Sequence, residues 1–327
     1  MDFAGIKERL KPEMERVNAE IRGSLASDIE ILDSTNRNML LHSGKQLRPV
    51  LCILVAKACS GGVVTEDTVR FAAAAELLHN ATLLHDDVAD DSPERRGVPT
   101  VMSILGGRAS VLLGDYWLVK AMEEILRCEN YSSNVISIFA KTLSDLAEGE
   151  LLQLQKASAG DTDEKDYFRI IFSKTASLFE ASAVSAAISV GAAEDVTEAV
   201  RAYSRNLGIA FQIRDDIFDY EDNPAIGKPV GLDLKEQKIT LPLLCALSKV
   251  TAEENAGIRR KVCEIERHPE YQEEIVKFTI EHKGVESAAV RLQEYVDSAK
   301  KSLDILGDGE YVRMLVSIAD FVAKRKS

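Results

Sequence analysis

Three observations predict an all-α chain. Apolar residues recur at three- to four-residue spacing along most of the 327 residues, the period of a helix with one face turned to a core. Alternating runs of Val, Ile and Thr, the mark of half-buried strands, are scarce. Glycine (19) and proline (8) are too few for an all-β chain of this length, and they fall at intervals that suit helices. With 46% apolar residues the chain can bury a large core, and its length admits one large domain or two of average size. No tandem repeat, low-complexity tract or Ser/Gly linker divides it, so a single helical bundle spanning 1–327 is the economical expectation.

The elements follow in order. A first helix is expected over 3–23, charged throughout and lacking the apolar run of a secretory leader. Helices over 27–42 and 46–60 flank SGKQLRP, where a loop becomes a helix. Those over 65–90 and 195–222 are apolar and end in aspartates. Between them lie 100–106, 108–128, 131–157 and 164–190, and after them 239–250, 253–266, 270–281 and 285–326. The least regular stretch is 222–238, where Pro224, Gly227, Pro229 and Gly231 forbid a continuous helix. No stretch reaches the ~18 uninterrupted apolar residues of a membrane span. Five cysteines, odd in number and never in a CxxC pair, suit a reduced, cytoplasmic setting. A formal charge of −13 repels nucleic acid and anionic lipid at long range, so a phosphate-bearing ligand needs local cations or bound metal.

The first motif is LLHDDVADD, with Asp86, Asp87 and Asp90 ending an apolar helix. Asp86 and Asp90, four apart, share a helix face, and like charges so placed destabilise the helix by a few tenths of a kcal/mol. A divalent cation gives them a purpose: hard carboxylate oxygens suit Mg²⁺, which takes one or two protein carboxylates and completes its shell with water and phosphate. A lone DDxxD in an acidic protein is more often a solvated helix face. Here it recurs in FQIRDDIFD as Asp215, Asp216 and Asp219, again at a helix end. The repetition favours a metal–diphosphate site. His85 reads as a packing or supporting residue rather than a ligand, since Mg²⁺ prefers oxygen.

Diphosphate also needs fixed cations. Gly44, Lys45 and Arg48 of SGKQLRP can converge backbone N–H groups, an ammonium and a guanidinium on phosphate oxygens. Arg95 and Arg96 follow the first motif, and Arg forks suit diphosphate. Lys174, Thr175, Gln212, Lys228 and Lys238 are further candidates, each weak alone. His79, two helical turns before Asp86, is either a phosphate donor or a core histidine.

GKQLRP, ELLHNATLLHDDVADDSPERRG, Gly114-Asp115, EGELLQL, KTASLF, FQIRDDIFDY and GKPVGLDLKEQKITLPLL together resemble the trans-polyprenyl diphosphate synthases, from residue 44 to the C-terminus. The resemblance implies the isoprenoid synthase fold, an α-helical barrel around a central cavity faced by both motifs, and a homodimer. It implies three Mg²⁺ ions, replaceable by Mn²⁺, on Asp86, Asp87, Asp90, Asp215 and Asp219, with Asp216 close by. Arg95, Lys174, Lys228 and Lys238 would hold the allylic diphosphate, with Thr175 and Gln212 flanking it. Gly44, Lys45, Arg48, His79 and Arg96 would hold isopentenyl diphosphate. The 222–238 loop and the tail Lys324-Arg325-Lys326 are the implied lids.

In that family the residues just before the first motif help set product length. Here they are Ala81 and Thr82, both small, as in long-chain members, so a C30–C40 product is expected, with C15–C20 the alternative. Trp117 and Met122 are candidates for the floor of the tunnel, with core packing the competing role for Trp117. A non-catalytic subunit would lose aspartates or arginines that this chain keeps, and a terpene cyclase would carry a different second motif and no GKQLRP.

Overall fold

A computed structural model describes residues 1–42, 44–95, 97–129, 132–221 and 230–325. Its helices, in chain order, are α1 (Phe3–Arg9), α2 (Lys11–Leu25), α3 (Glu30–Leu41), α4 (Leu47–Ser60) and α5 (Glu66–Ala89). A two-stranded antiparallel pair, β1 (Glu94–Arg95) with β2 (Val98–Pro99), precedes α6 (Val101–Leu105), α7 (Gly107–Leu126), α8 (Ser132–Ala159) and α9 (Glu164–Ile171). A π-helical segment, Phe172–Ala176, leads into α10 (Ser177–Ser189), and α11 (Glu194–Phe218) follows. The rest is α12 (Leu232–Lys235), α13 (Leu241–Leu247), α14 (Ala252–Cys263), α15 (Tyr271–Glu281), α16 (Gly284–Ser302) and α17 (Glu310–Lys324). The fold is all-α, as expected.

The departures have local causes. The helix expected over 3–23 breaks at Leu10 (φ −99°, ψ 8°), because Pro12 in the first turn of α2 has no N–H to give and its ring would strike the carbonyl four residues back. The helix expected over 285–326 is interrupted by a 3₁₀ turn at Asp304–Leu306 and by Gly307, whose φ of 71° ends any right-handed helix. The second half of the irregular 222–238 stretch holds α12.

The chain forms two compact units. The first comprises 1–140, 181–200 and 306–315, the second 141–180, 201–305 and 316–327. In the first, α5 starts from a capping box, Thr65 and Thr68 bonding each other's backbone N–H at 3.0 and 3.2 Å. Its residues 71–78 are buried on every side, so it packs against α2, α4 and α7 together. Gly114 lets α7 come close: a Cβ there would lie 2.4 Å from His85 Nε2. Trp117, 1% exposed, donates Nε1–H to Asn36 Oδ1 at 2.8 Å, and Asn36 Nδ2 donates to the Leu25 carbonyl at 2.9 Å. Trp117 therefore has the core role, tying α7 to α3 and the end of α2. In the second unit α13 packs on α15 and α16, with Gly284 set where a Cβ would meet the Pro242 carbonyl at 2.2 Å. All five cysteines are free thiols.

Candidate active site

The first aspartate motif closes α5. Asp86 is half-buried, Asp87 buried and Asp90, the C-cap residue, exposed. The chain turns back at once: Asp91 takes a left-handed φ of 48°, Ser92 N–H donates to the Asp87 carbonyl at 2.9 Å, and Thr100 Oγ1 donates to the Ser92 carbonyl at 2.7 Å. That return sets β1 beside the helix end, where Arg95 Nε bonds Asp87 Oδ1 at 2.8 Å. Both line a cavity of about 520 Å³ with residues of α3, β2 and α6. His85 faces α7, with Nε2 3.2 Å from Asp115 Oδ1, in keeping with a supporting rather than a ligating role.

His79 is half-buried on α5, its carbonyl accepting from Thr82 Oγ1 at 2.8 Å. Gly44 and Lys45 precede Gln46, whose left-handed φ of 54° turns the chain into α4; Arg48 stands in that helix's first turn and Lys45 is exposed. The loop-to-helix step read in SGKQLRP is therefore present. Ser182 Oγ donates to the Arg48 carbonyl at 2.9 Å, fixing the turn from α10. Arg96 and Lys228 lie outside the described residues.

The second unit gathers more. Lys174 and Thr175 lie in the π segment, whose wide turn is seated between two glycines. A Cβ on Gly149 of α8 would lie 2.6 Å from Ser173 Cβ, and one on Gly208 of α11 would lie 2.5 Å from Ala176 Cα. So held, Lys174 Nζ reaches Glu150 Oε2 at 2.5 Å and Gln153 Oε1 at 3.1 Å. Thr175 Oγ1 donates to Gln212 Oε1 (2.8 Å), Gln212 Nε2 to Asp216 Oδ1 (2.9 Å), and the Tyr167 hydroxyl to Asp216 Oδ2 (2.6 Å). Lys174, Gln212, Asp216, Lys238, Tyr167 and Asp233 border one cavity of about 150 Å³.

Asp219 accepts the Leu232 and Asp233 N–H groups at 2.8 and 3.1 Å, so its carboxylate caps the start of α12. Asp215, exposed to 40%, meets the Arg325 guanidinium at 2.6 Å. Lys238 pairs with Glu236, and its N–H donates to the Asp233 carbonyl at 2.8 Å. Burial pushes the Asp216 carboxyl up to about 7, with the Tyr167 and Gln212 hydrogen bonds opposing and the charges of Asp215 and Asp219 adding to the rise. Burial likewise pushes Asp233 up to about 8, helped by Asp216 and Asp219 and opposed by Lys238. Such crowding is what a bound cation would relieve.

Among the described residues no three His, Cys, Asp or Glu side chains converge on one point as a ready metal cage. The donors still fit a metal that binds with diphosphate: they are hard oxygens, and Mg²⁺ in such sites asks for only one or two carboxylates per ion. Asp233, Tyr167, Glu150 and Gln153 were not among the predicted residues. Asp233 and Glu150 were visible within GLDLKEQK and EGELLQL; nothing local distinguished Tyr167.

Residues 29–279 match the family model described as Polyprenyl synthetase. The octaprenyl diphosphate synthase of Haemophilus influenzae is 37% identical over 320 residues, covering 98% of this chain and 96% of that protein. The crystal structure of a decaprenyl diphosphate synthase from Rhodobacter capsulatus superposes with a TM-score of 0.92 at 34% identity, covering 99% of both chains. A polyprenyl synthase from Caulobacter crescentus CB15, solved with calcium and isoprenyl diphosphate, gives 0.90 at 32% identity, covering 100% of this chain and 98% of that one. The chain belongs to the polyprenyl synthetase family, and with it to the trans-prenyltransferases. No helix among the described residues is long and apolar enough to cross a membrane.

Proposed function

We propose that the chain joins isopentenyl diphosphate head to tail to an allylic diphosphate, extending it through trans units to a polyprenyl diphosphate of C30–C40. The observation that carries this is the pair of DDxxD motifs, each at or near the end of a long helix, with Lys174, Gln212 and Lys238 around the second. Full-length likeness to octaprenyl and decaprenyl diphosphate synthases supports the long product, and so do the small side chains of Ala81 and Thr82.

Lys174, Lys238 and Arg95, with Lys228, are read as the cations that hold the allylic diphosphate and stabilise charge on it as the C–O bond breaks. Gly44, Lys45, Arg48, His79 and Arg96 are read as holding isopentenyl diphosphate, whose double bond attacks the allylic cation; proton loss then restores a double bond. Thr175 and Gln212 brace the allylic side through the chain of bonds that ends on Asp216. Asp86, Asp87, Asp90, Asp215 and Asp219 would hold Mg²⁺, three ions by family resemblance, which supply Lewis-acid stabilisation of the departing diphosphate. Asp87, already bonded to Arg95, also orients that guanidinium.

The homodimer belongs to the same proposal: Leu112, Val119 and Leu126 stand exposed seven residues apart along α7, with Val111 beside them. An apolar seam of that spacing suits another helix of its own kind. One domain over 1–327 and a cytoplasmic setting complete the reading. The test is incubation of the purified protein with isopentenyl diphosphate, Mg²⁺ and each allylic primer in turn, with products sized by mass spectrometry. Products of C30–C40 are expected; no elongation of any primer would reject the reaction, and arrest at C15–C20 would reject the length.

A further inference from the structure

Arg325 follows the last residue of α17 and is 8% exposed. Its guanidinium lies 3.7 Å from the Phe211 ring centroid and 5.3 Å from that of Phe218. Nη2 donates to the Phe211 carbonyl at 2.8 Å and lies 2.6 Å from Asp215 Oδ1. Its own carbonyl accepts from Arg214 Nε at 3.1 Å, and Arg214 is in turn gripped by both Glu221 oxygens at 3.0 and 3.2 Å. Asp215 is thus only one of several anchors. The guanidinium is a fixed charge, pinned by aromatic faces and a main-chain carbonyl, that stays in place if Asp215 turns to another partner.

Its position has an electrostatic consequence. Asp215 has Asp216 beside it and Asp219 one helical turn on, so carboxylates crowd this end of α11. A divalent ion arriving alone must compete with Arg325 for an Asp215 oxygen and bear the repulsion of its charge. A diphosphate arriving with the ion brings negative charge that offsets that repulsion.

We propose that Arg325 is a positioning residue and resident cation of the second aspartate motif, which holds Asp215 oriented and makes divalent-metal binding there depend on a diphosphate. The inference rests on Asp215 being a metal ligand. The test is titration of the full-length protein with Mn²⁺ alone, followed by calorimetry or by the spin-resonance signal of free Mn²⁺, and repeated with inorganic diphosphate. Arg325→Gln is expected to bind Mn²⁺ alone about tenfold or more tighter than the wild type, while Arg325→Lys stays near it. The gain should vanish when Asp215→Asn is added and should shrink when diphosphate is present. Arg325→Met keeps an unbranched apolar stem on Phe211 without the charge and serves if the Gln variant unfolds; circular dichroism checks both. Folded Gln or Met variants that bind Mn²⁺ no tighter than the wild type overturn the proposal. Wild-type turnover by Asp215→Asn would instead overturn the reading of Asp215 as a ligand, so the two failures are distinguishable.

Discussion

Gly208→Ala adds one methyl group at the point where α11 crosses the π segment. The new Cβ would lie 2.5 Å from Ala176 Cα, 2.8 Å from its Cβ and 3.3 Å from Phe179 Cβ. Carbon atoms rest at about 3.5–4.0 Å, so the segments must part by about 1 Å. Thr175 Oγ1 bonds Gln212 Oε1 at 2.8 Å one helical turn further along α11, and an added ångström breaks that bond. Overpacking of this kind costs about 1–3 kcal/mol. Alanine recovers about 1 kcal/mol as the better helix former, leaving a net loss of about 0–2 kcal/mol. The effect on catalysis is larger: displacing Lys174 and Thr175 on that scale is worth about a hundredfold in rate. The assay is steady-state kinetics with saturating isopentenyl diphosphate and varied allylic primer, alongside urea unfolding. A folded variant with kcat reduced about ten- to hundredfold is expected. Gly23→Ala, in α2 with nothing within 4 Å of the new methyl, is the control and should leave kcat unchanged. Wild-type kcat in Gly208→Ala would show that the seating of the π segment does not position the lysine.

Asp86→Ala and Asp215→Ala should each abolish turnover with the helical circular dichroism intact, and wild-type rates from either would reject the metal site. Asp233→Asn should stabilise the protein in chelator by a margin that grows with pH. The half-buried Asp233 carboxyl, raised to about 8, keeps its proton after the unfolded chain has lost its own, so wild-type stability falls from about pH 4 to pH 8 while the amide is indifferent. A gap between the two melting curves that is flat with pH would refute this. Ala81→Phe, five residues before Asp86 and 1% exposed, should shorten the product towards C15–C20 if that face lines the path of the growing chain. An unchanged product distribution from active enzyme would exclude Ala81 as a length determinant.

Both aspartate motifs, the turn into α4 and most helix limits were legible because each is written locally, in spacing or in a Gly or Pro. The break at Leu10 was missed, although Pro12 in the first turn of α2 marks it. The π segment was not: FSKTASLF reads as ordinary helix, and its wider turn is seated against Gly149 and Gly208, residues remote in sequence. The bond from Tyr167 to Asp216 spans 49 positions and that from Arg325 to Phe211 spans 114, so no local pattern foretells either. Read from sequence, Arg325 belonged to a basic tail taken as a lid; its aromatic seat packs it into the second unit. The strands Glu94–Arg95 and Val98–Pro99 are too short for any periodicity, yet their hairpin returns Arg95 to Asp87.

Cations paired with carboxylates recur in each unit of this chain of charge −13. Arg95 faces Asp87 at 2.8 Å, Lys174 faces Glu150 at 2.5 Å, Arg325 faces Asp215 at 2.6 Å, and Lys238 faces Glu236. Each cation thus stands beside its own carboxylate, which keeps its charge from being stranded in a partly buried place. A diphosphate entering alone would have to displace those carboxylates and leave them uncompensated; a divalent ion entering alone would strand the cations. On the proposed reading of Lys174 and Lys238 as cations that hold diphosphate, a metal and a diphosphate entering together would let the second unit's charges exchange partners rather than lose them. On that reading, the carboxylates beside those cations would make substrate and metal binding mutually dependent, and Glu150→Gln would weaken that dependence, measured as Mn²⁺ affinity with and without inorganic diphosphate.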